Sequence, residues 1–202
     1  MERWSTSGVS GFQINPFRLR KAADMIRLRL TTPDDLPLVL AMEQHPENAP
    51  LVIQWSLERH QSASNHPNQS HLMIERCVNR IPVGYVILAG LTNPDQSLEL
   101  TRIVVSEKGK GYGRLALEQI KQLAFQDYSA HRLWLDVIEH NHRARNLYEQ
   151  AGFVYEGTLR ECLKTEGGFE SLVLMSMLQS EYFSSAPFPP TEPQCEGSGP
   201  PE

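Results

Sequence analysis

SLELTRIVVSEKGKGYGRLALEQI, residues 97–120, holds three patterns end to end. From Ser97 to Val105 the chain reads as a strand, with Leu98 and Leu100 at alternate positions and a closing Ile-Val-Val run. Gly109, Gly111 and Gly113 then recur at every second position, threaded with Lys108, Lys110 and Arg114. From Arg114 onward, Ala116, Ile120, Leu123 and Ala124 follow helical spacing, Leu117 widens the stripe, and the helix is expected to fade near Asp127. A strand, a bare turn and a helix start near Gly113 leave several N–H groups unpaired at the positive end of a helix dipole. Such a place binds phosphate. The glycines let the backbone approach oxygen atoms with no Cβ in the way and permit positive φ, while the three cations balance more than one phosphoryl group. A flexible connection carrying solvated lysines is the plainer alternative.

Working outward, IRLRLTT (residues 26–32) alternates as a half-buried strand, and TPDD supplies an N-cap threonine, Pro33 at the first helical position and early carboxylates. A helix to about Ala41 or Gln44 should follow. Residues 45–69 are polar and broken by proline, with a short helix at WSLERH. HLMIERC and PVGYVILAGL flank a turn around Asn79 and Arg80 and read as an antiparallel hairpin leading to the strand at 97–105. After the central helix, HRLWLDV is a strand. Asn141 caps a helix whose buried face is Ala144, Leu147, Tyr148 and Ala151, and Gly152 ends it. FVYEGTL and SLVLMSML close the chain around LKTEGG. The order implies a single α/β (α+β) domain, a mixed and mostly antiparallel sheet of about seven strands flanked by about four helices.

The chain has 202 residues, 40% hydrophobic, and a net charge of −5, which suits one globular domain. We divide it into a peripheral extension at 1–24, a domain at 25–179 and a disordered, acidic Pro/Ser/Gly-rich tail at 180–202. A start codon placed too early would account for the extension, and a partner-binding arm is the other reading. Dispersed mild acidity offers no face for tracking phosphates, so no nucleic acid is expected. No apolar run approaches the ~20 residues of a membrane span, and no secretory signal opens the chain, so we expect a cytoplasmic protein with no membrane partner. Cys77, Cys162 and Cys195 lack ligand or redox spacing and are expected as reduced thiols. His140 and His142 flank Asn141 without a third ligand, so no metal is expected.

Among phosphate loops, GxxxxGK[ST] fails, because no Gly-Lys here precedes Ser or Thr. Gly111, Gly113 and Ala116 satisfy the dinucleotide pattern GxGxxA, with Asp136 at the end of the next strand as a ribose contact. Against that stands the antiparallel meander before the loop. KGKGYG is similar to the [QR]xxGxG[GA] loop of the GNAT superfamily of N-acetyltransferases, with Lys108 in place of Gln or Arg and Arg114 in place of Gly or Ala. NHRARNLYEQAGFVYEG (residues 141–157) strongly resembles that family's second signature, NxxAxxLYxxxGFxxEG. Two signatures in the right order identify the chain as a member, over about residues 26–178. HRLWLDV and GFxxEGxLRE look most like the branch containing the ribosomal-protein N-terminal acetyltransferases (RimJ/RimL-like).

The resemblance implies acetyl-CoA as the donor substrate, with its pyrophosphate in the loop of Lys108, Gly109, Lys110, Gly111, Tyr112, Gly113 and Arg114. It implies a pantetheine arm along the backbone of Ile103, Val104 and Val105 and a contact from Asn141, with Arg143 and Arg145 available to the 3′-phosphate and a solvated helix position the plainer reading for at least one of them. Tyr148 takes the role of general acid for the departing thiolate, thiol and phenol having pKa values of about 8.5 and 10. Glu99, on the alternate face shared with Thr101 and Ile103, is the candidate base, directly or through water, for an amine that arrives protonated. An exposed strand carboxylate paired with Arg102 or Arg76 is the bland reading of Glu99, and a core residue that of Tyr148.

The main expectation is therefore an N-acetyltransferase acting on a primary amine, of a small molecule or a protein N-terminus, by direct attack in a ternary complex. A non-catalytic acyl-CoA-binding module and a dinucleotide-binding protein are the alternatives. Residues 45–70 and the hairpin around Lys164 to Phe169 should build the acceptor groove, with Glu47, Glu58 and Glu161 available to attract a cation. A homodimer through the exposed edge of the final strands is the assembly route the pattern offers.

Overall fold

The structure, a computed structural model, describes residues 26–165 and 167–185. The extension read at 1–24 and most of the tail lie outside them. Seven strands form one mixed sheet, as expected. β1 (Ile26–Leu30), β2 (Gln69–Arg76), β3 (Pro82–Ala89) and β4 (Ser97–Val105) pair antiparallel in succession. β5 (Arg132–Ile138) runs parallel to β4, β7 (Gly168–Leu178) lies antiparallel beside β5, and β6 (Val154–Thr165) forms the edge. Among the described strands only β4 and β5 pair in parallel. That topology is not the repeated parallel unit a dinucleotide fold requires, so the GxGxxA match is coincidental.

The helices start where the side chains predict. Asp35 Oδ2 accepts from both the backbone N–H and the hydroxyl of Thr32 at 2.8 Å, closing the turn that launches α1 (Leu36–Gln44). Ser56 Oγ accepts from the Arg59 N–H at 3.3 Å at the start of α2 (Leu57–Asn65). α3 (Tyr112–Gln122) runs on into a π-helical turn, Leu123–Asp127. Asn141 Oδ1 accepts from the Ala144 N–H at 3.2 Å at the start of α4 (His142–Gln150), and Gly152, at φ +94°, follows its end. Residues 180–185, read as the start of the tail, instead belong to a last helix, α5 (Gln179–Ser185), whose Tyr182 stacks on Phe125 with centroids 5.0 Å apart. Cys77 is disulfide-bonded, not a reduced thiol, while Cys162 is free and exposed. Local spacing cannot report which thiols the fold brings together.

The sheet buries both faces. Under α3 and α4, Leu117, Ile120, Leu133, Tyr148 and Phe153 pack in one core. Under α1 and α2, Val39, Met42, Trp55, Tyr85 and Val104 form a second. Each fully buried aliphatic side chain contributes on the order of 1.5–3 kcal/mol to this packing.

One irregularity in β4 shapes everything that follows. Ile87 sits opposite Arg102 but Leu88 sits opposite Leu100, so Thr101 is an extra residue, a bulge. Plain alternation had put Glu99, Thr101 and Ile103 on one face. The bulge reverses the faces beyond it: Leu98, Leu100, Ile103 and Val105 pack toward α3, and Val104 turns to the other core. β4 also leaves β5 at this point. Only Ser97, Leu98 and Glu99 pair with Arg132, Leu133 and Trp134, after which the strands diverge and β5 stays with β7 through Ile138.

Candidate active site

The diverging strands open a cavity of about 770 Å³ whose walls come from β4, the glycine loop, β5, α4 and the segment after α1. Gly109 and Gly111 have φ of +78° and +82°, and a Cβ on either would meet no atom within 4 Å. They are needed for their backbone angle, beside open space. Gly113 differs: it sits in the first turn of α3, and its Cβ would lie 3.4 Å from Leu147. The free N–H groups of that first turn belong to residues lining the cavity, and α3's first internal bond runs from the Leu115 N–H to Gly111 O at 3.1 Å.

The cations divide. Lys108 lines the cavity, half-buried, and donates to Asn48 Oδ1. Burial lowers its pKa first, and the nearby Arg143 charge lowers it further. Arg114 lines the cavity and donates to Gln150 Oε1 of α4. Arg143 is an exposed wall residue, and Asn141 is both wall and cap. Lys110 points elsewhere, exposed and away from the wall, and the Tyr112 side chain is buried in the core.

Beyond the bulge, β4 offers a bare backbone edge. The Ser106 N–H donates to Val83 O at 2.8 Å, and Tyr85 faces Val104 in register. Because strand bonding groups alternate in direction, Val104 directs its N–H and C=O to β3, while Ile103 and Val105 direct theirs toward the gap. Of the three residues expected along a pantetheine arm, two present free main-chain groups; Val104 does not.

Tyr148 lines the cavity from α4, 6% exposed, its ring tilted against Phe153. Burial raises its pKa well above the ordinary phenol value, and the Asp136 charge raises it further. The near match of phenol and thiol expected from free groups is therefore altered. A thiolate buried in the same gap is lifted by the same loss of water, which narrows the difference again.

Glu99 is not in the cavity wall; it lies just below the fork, where β4 still pairs with β5. Burial raises its pKa, Asp136 raises it, and the Thr101 hydroxyl partly offsets the two. Asp136 lines the gap from β5 and stays exposed at its mouth, and partial loss of surrounding water raises its pKa as well. The sequence pattern points to Asp136 only as a ribose contact of a dinucleotide fold, a role this topology removes. A lone carboxylate in the apolar run RLWLDVI was the available signal.

Residues after α1 form the facing wall through Glu47, Asn48, Leu51, Val52 and Ile53. From the closing hairpin, Leu163 and Leu172 line the cavity, and Lys164, Thr165 and Gly167 to Phe169 do not. Glu58 and Glu161 are also outside the wall. α2 braces the wall from behind by burying His60 and Ala63 beside Trp55.

Behind that wall lies a buried polar cluster that periodicity did not reveal. Glu43, 1% exposed, accepts from Tyr85 OH, Arg102 Nη1 and, at 2.8 Å, the Trp55 N–H. Burial alone would raise its pKa, but His60, Tyr85, the Trp55 N–H and Arg102 together outweigh it and hold the carboxylate ionised, well below the ordinary range. His60 Nε2 lies 3.2 Å from Glu43 Oε1 in a bent contact, and its Nδ1 is 3.1 Å from His71 Nε2. His71 Nδ1 is 2.8 Å from Thr31 Oγ1, and burial pushes the His71 pKa down to about 4. The two rings thus form a buried chain from Glu43 through His60 and His71 to the Thr31 hydroxyl.

Among the described residues, no three His, Cys, Asp or Glu side chains are grouped to hold a metal ion, and no helix is long and apolar enough to cross a membrane. Residues 36–153 match the family model of the acetyltransferase (GNAT) family. The spermidine N(1)-acetyltransferase of Vibrio cholerae is 29% identical over 120 residues, 59% of this chain and 69% of that protein. Among solved structures, a chimera of the Vibrio cholerae spermidine N-acetyltransferase SpeG and hSSAT has a TM-score of 0.70 at 23% identity, covering 78% of this chain and 98% of that one. The spermidine/spermine N-acetyltransferase SpeG from Vibrio cholerae with manganese ions has a TM-score of 0.68 at 22% identity, covering 81% and 98%. At such identities the structures speak to the fold alone.

Proposed function

The chain belongs to the acetyltransferase (GNAT) family and is an acetyl-CoA-dependent N-acetyltransferase; on that premise we propose that it acetylates a primary amine of a small polycation such as spermidine, by direct attack in a ternary complex. The observation that carries this reading is the fork between β4 and β5. It brings a free backbone edge, a buried phenol and a carboxylate to one gap, facing a separate apolar wall.

The residues present fit the donor. Open space beside Gly109 and Gly111, the first turn of α3, and Lys108, Arg114 and Arg143 suit its phosphates. The edge of Ile103 and Val105 suits the pantetheine arm as an added strand, and one of their N–H groups is positioned to donate to the thioester oxygen. The donor supplies the activated acetyl group, and the rest is proton traffic. An aliphatic ammonium has a pKa of about 10, so a proton must leave before attack. Asp136 faces the amine with its basicity raised by burial, and Glu99 stands behind it to share the proton. Tyr148 donates to the departing sulfur.

On the acceptor side, Leu51, Val52, Leu163 and Leu172 suit methylene spacers, and Asp136 with Glu47 suits ammonium groups. The spermidine-acetylating relative supports a polyamine over the ribosomal-protein N-terminus to which the closing motif is similar. The test is thiol release from acetyl-CoA with a panel of spermidine, spermine, simple alkylamines and peptides with free N-termini. Turnover on polyamines is expected. Turnover on peptides alone would overturn the polyamine reading in favour of N-terminal acetylation.

A further inference from the structure

The segment between α1 and α2 is fastened at both ends to the unit that carries the donor-binding backbone. At one end Asn48, 2% exposed, donates to Met42 O at 2.8 Å, closing α1, and accepts from Lys108 at the start of the glycine loop. At the other end the Trp55 N–H donates to Glu43, which also holds Arg102 of β4, and the Arg102 guanidinium stacks on the Trp55 ring at 4.4 Å. Leu51, Val52 and Ile53, which line the acceptor side, hang between these anchors. The two anchors differ in kind. Glu43 is sealed from the cavity, whereas Lys108 lines it and has a second cation, Arg143, close enough to lower its pKa. An ammonium carries three N–H donors, so Lys108 can hold Asn48 and a phosphate oxygen together.

We propose that Lys108 and Asn48 form a latch that couples the two substrate sites: a donor phosphate on Lys108 immobilises the acceptor wall through Asn48. This inference rests on placing the donor's phosphates at the glycine loop. Asn48 is then a positioning residue, touching neither reacting atom. Donor occupancy lowers the cost of ordering residues 49–55 around an amine, and reciprocity requires a bound amine to tighten the donor equally.

Amide hydrogen exchange over residues 49–55 tests the latch without an acceptor. The Leu51 N–H, bonded to Asn48 O at 2.8 Å, and the Trp55 N–H report on the two anchors. With saturating coenzyme A as the probe, exchange of this segment in the wild type should slow by about fivefold or more, the lower range of ordinary coupling. In Asn48→Ala the slowing should fall below about twofold while coenzyme A affinity, measured by calorimetry on the same samples, falls by no more than the coupling itself, about fivefold, since every phosphate-facing group remains. Lys108→Met, which leaves the Asn48–Met42 bond intact, should abolish the slowing at coenzyme A concentrations raised to saturate it, and it serves if Asn48→Ala folds poorly. Coenzyme A bound to the wild type with unchanged exchange at 49–55, or the same slowing in the variants, overturns the latch alone. Failure of coenzyme A to bind the wild type overturns the donor placement and the latch with it.

Discussion

Replacing Tyr148 by phenylalanine removes one oxygen from the candidate site and almost nothing from the fold. The ring is in the core with 6% of its surface exposed, and its neighbour Phe153 lies 5.9 Å away, centroid to centroid. No hydrogen bond to a described residue contributes to the hydroxyl's raised pKa; burial and the Asp136 charge account for it. Phenylalanine keeps the packing and leaves no buried partner orphaned, so stability should change by less than about 1 kcal/mol. A positioned general acid contributes ~10²–10⁴ in rate, or about 2.7–5.4 kcal/mol of barrier. The lower half of that range applies, because the gap opens to solvent and water can protonate the sulfur more slowly. The expected result is a kcat lowered about 10²–10³-fold, with KM for acetyl-CoA within about threefold and an unchanged denaturation midpoint. Thiol release with saturating amine gives kcat, and a denaturant titration controls for folding. Because the phenol pKa is raised, the wild-type rate should show no loss from its deprotonation up to about pH 10. A variant that turns over within about threefold of wild type would refute the acid role and return Tyr148 to the core.

Asp136→Asn should lower kcat about 10²-fold and flatten the acid limb of the rate profile, where protonation of Asp136 removes the base; an unchanged acid limb would assign that limb to another group. Gly111→Ala forces a Cβ onto a backbone at φ +82° with no atom nearby to clash, so about 1–2 kcal/mol of strain should appear as weaker coenzyme A binding or lower stability, read by calorimetry and thermal unfolding. His71 has a folded pKa of about 4 against an ordinary 6.5, so stability is present above pH 6.5 and is lost as pH falls toward 4, on the order of 3 kcal/mol, as protons bind the unfolded chain first. His71→Asn should reduce that slope in denaturant titrations at pH 4 to 7. Glu43→Ala leaves Arg102, Tyr85 OH and the Trp55 N–H buried together without their acceptor and should cost about 3–5 kcal/mol.

Most of the secondary structure was legible because its causes lie within a few residues. The hydrophobic alternation of residues 97–105, the helical stripe after Gly111, the Asn141 cap and the left-handed Gly152 are each local choices between backbone conformations, and each appears where the residues put it. The strand-loop-helix pattern and the run NHRARNLYEQAGF were enough to identify the family and, with it, the donor. The site was legible only in part. Tyr148, Asn141, Arg143 and the glycine loop do meet in one cavity, but Glu99 stands outside its wall and Lys110 points away.

What tertiary structure decided are the features that depend on a residue's partners across the sheet. Alternation assigns faces only while register holds, and the bulge at Thr101 is a property of two paired strands, so Ile103 and Glu99 parted faces; the shift of apolar positions from Leu98 and Leu100 to Ile103 and Val105 is its only trace in the sequence. The same bulge and the short β4–β5 pairing opened the gap that Asp136 lines and freed the backbone edge of Ile103 and Val105. Glu43 looks like one polar residue in a short helix until α2, β3, β4 and the segment holding Trp55 converge on it. Asn48 and Lys108, 60 residues apart, are joined because the fold sets the end of α1 beside the glycine loop. Local chemistry chose the elements and the donor; contacts between distant segments chose the shape of the cavity, its ionisation and the wall that meets the acceptor.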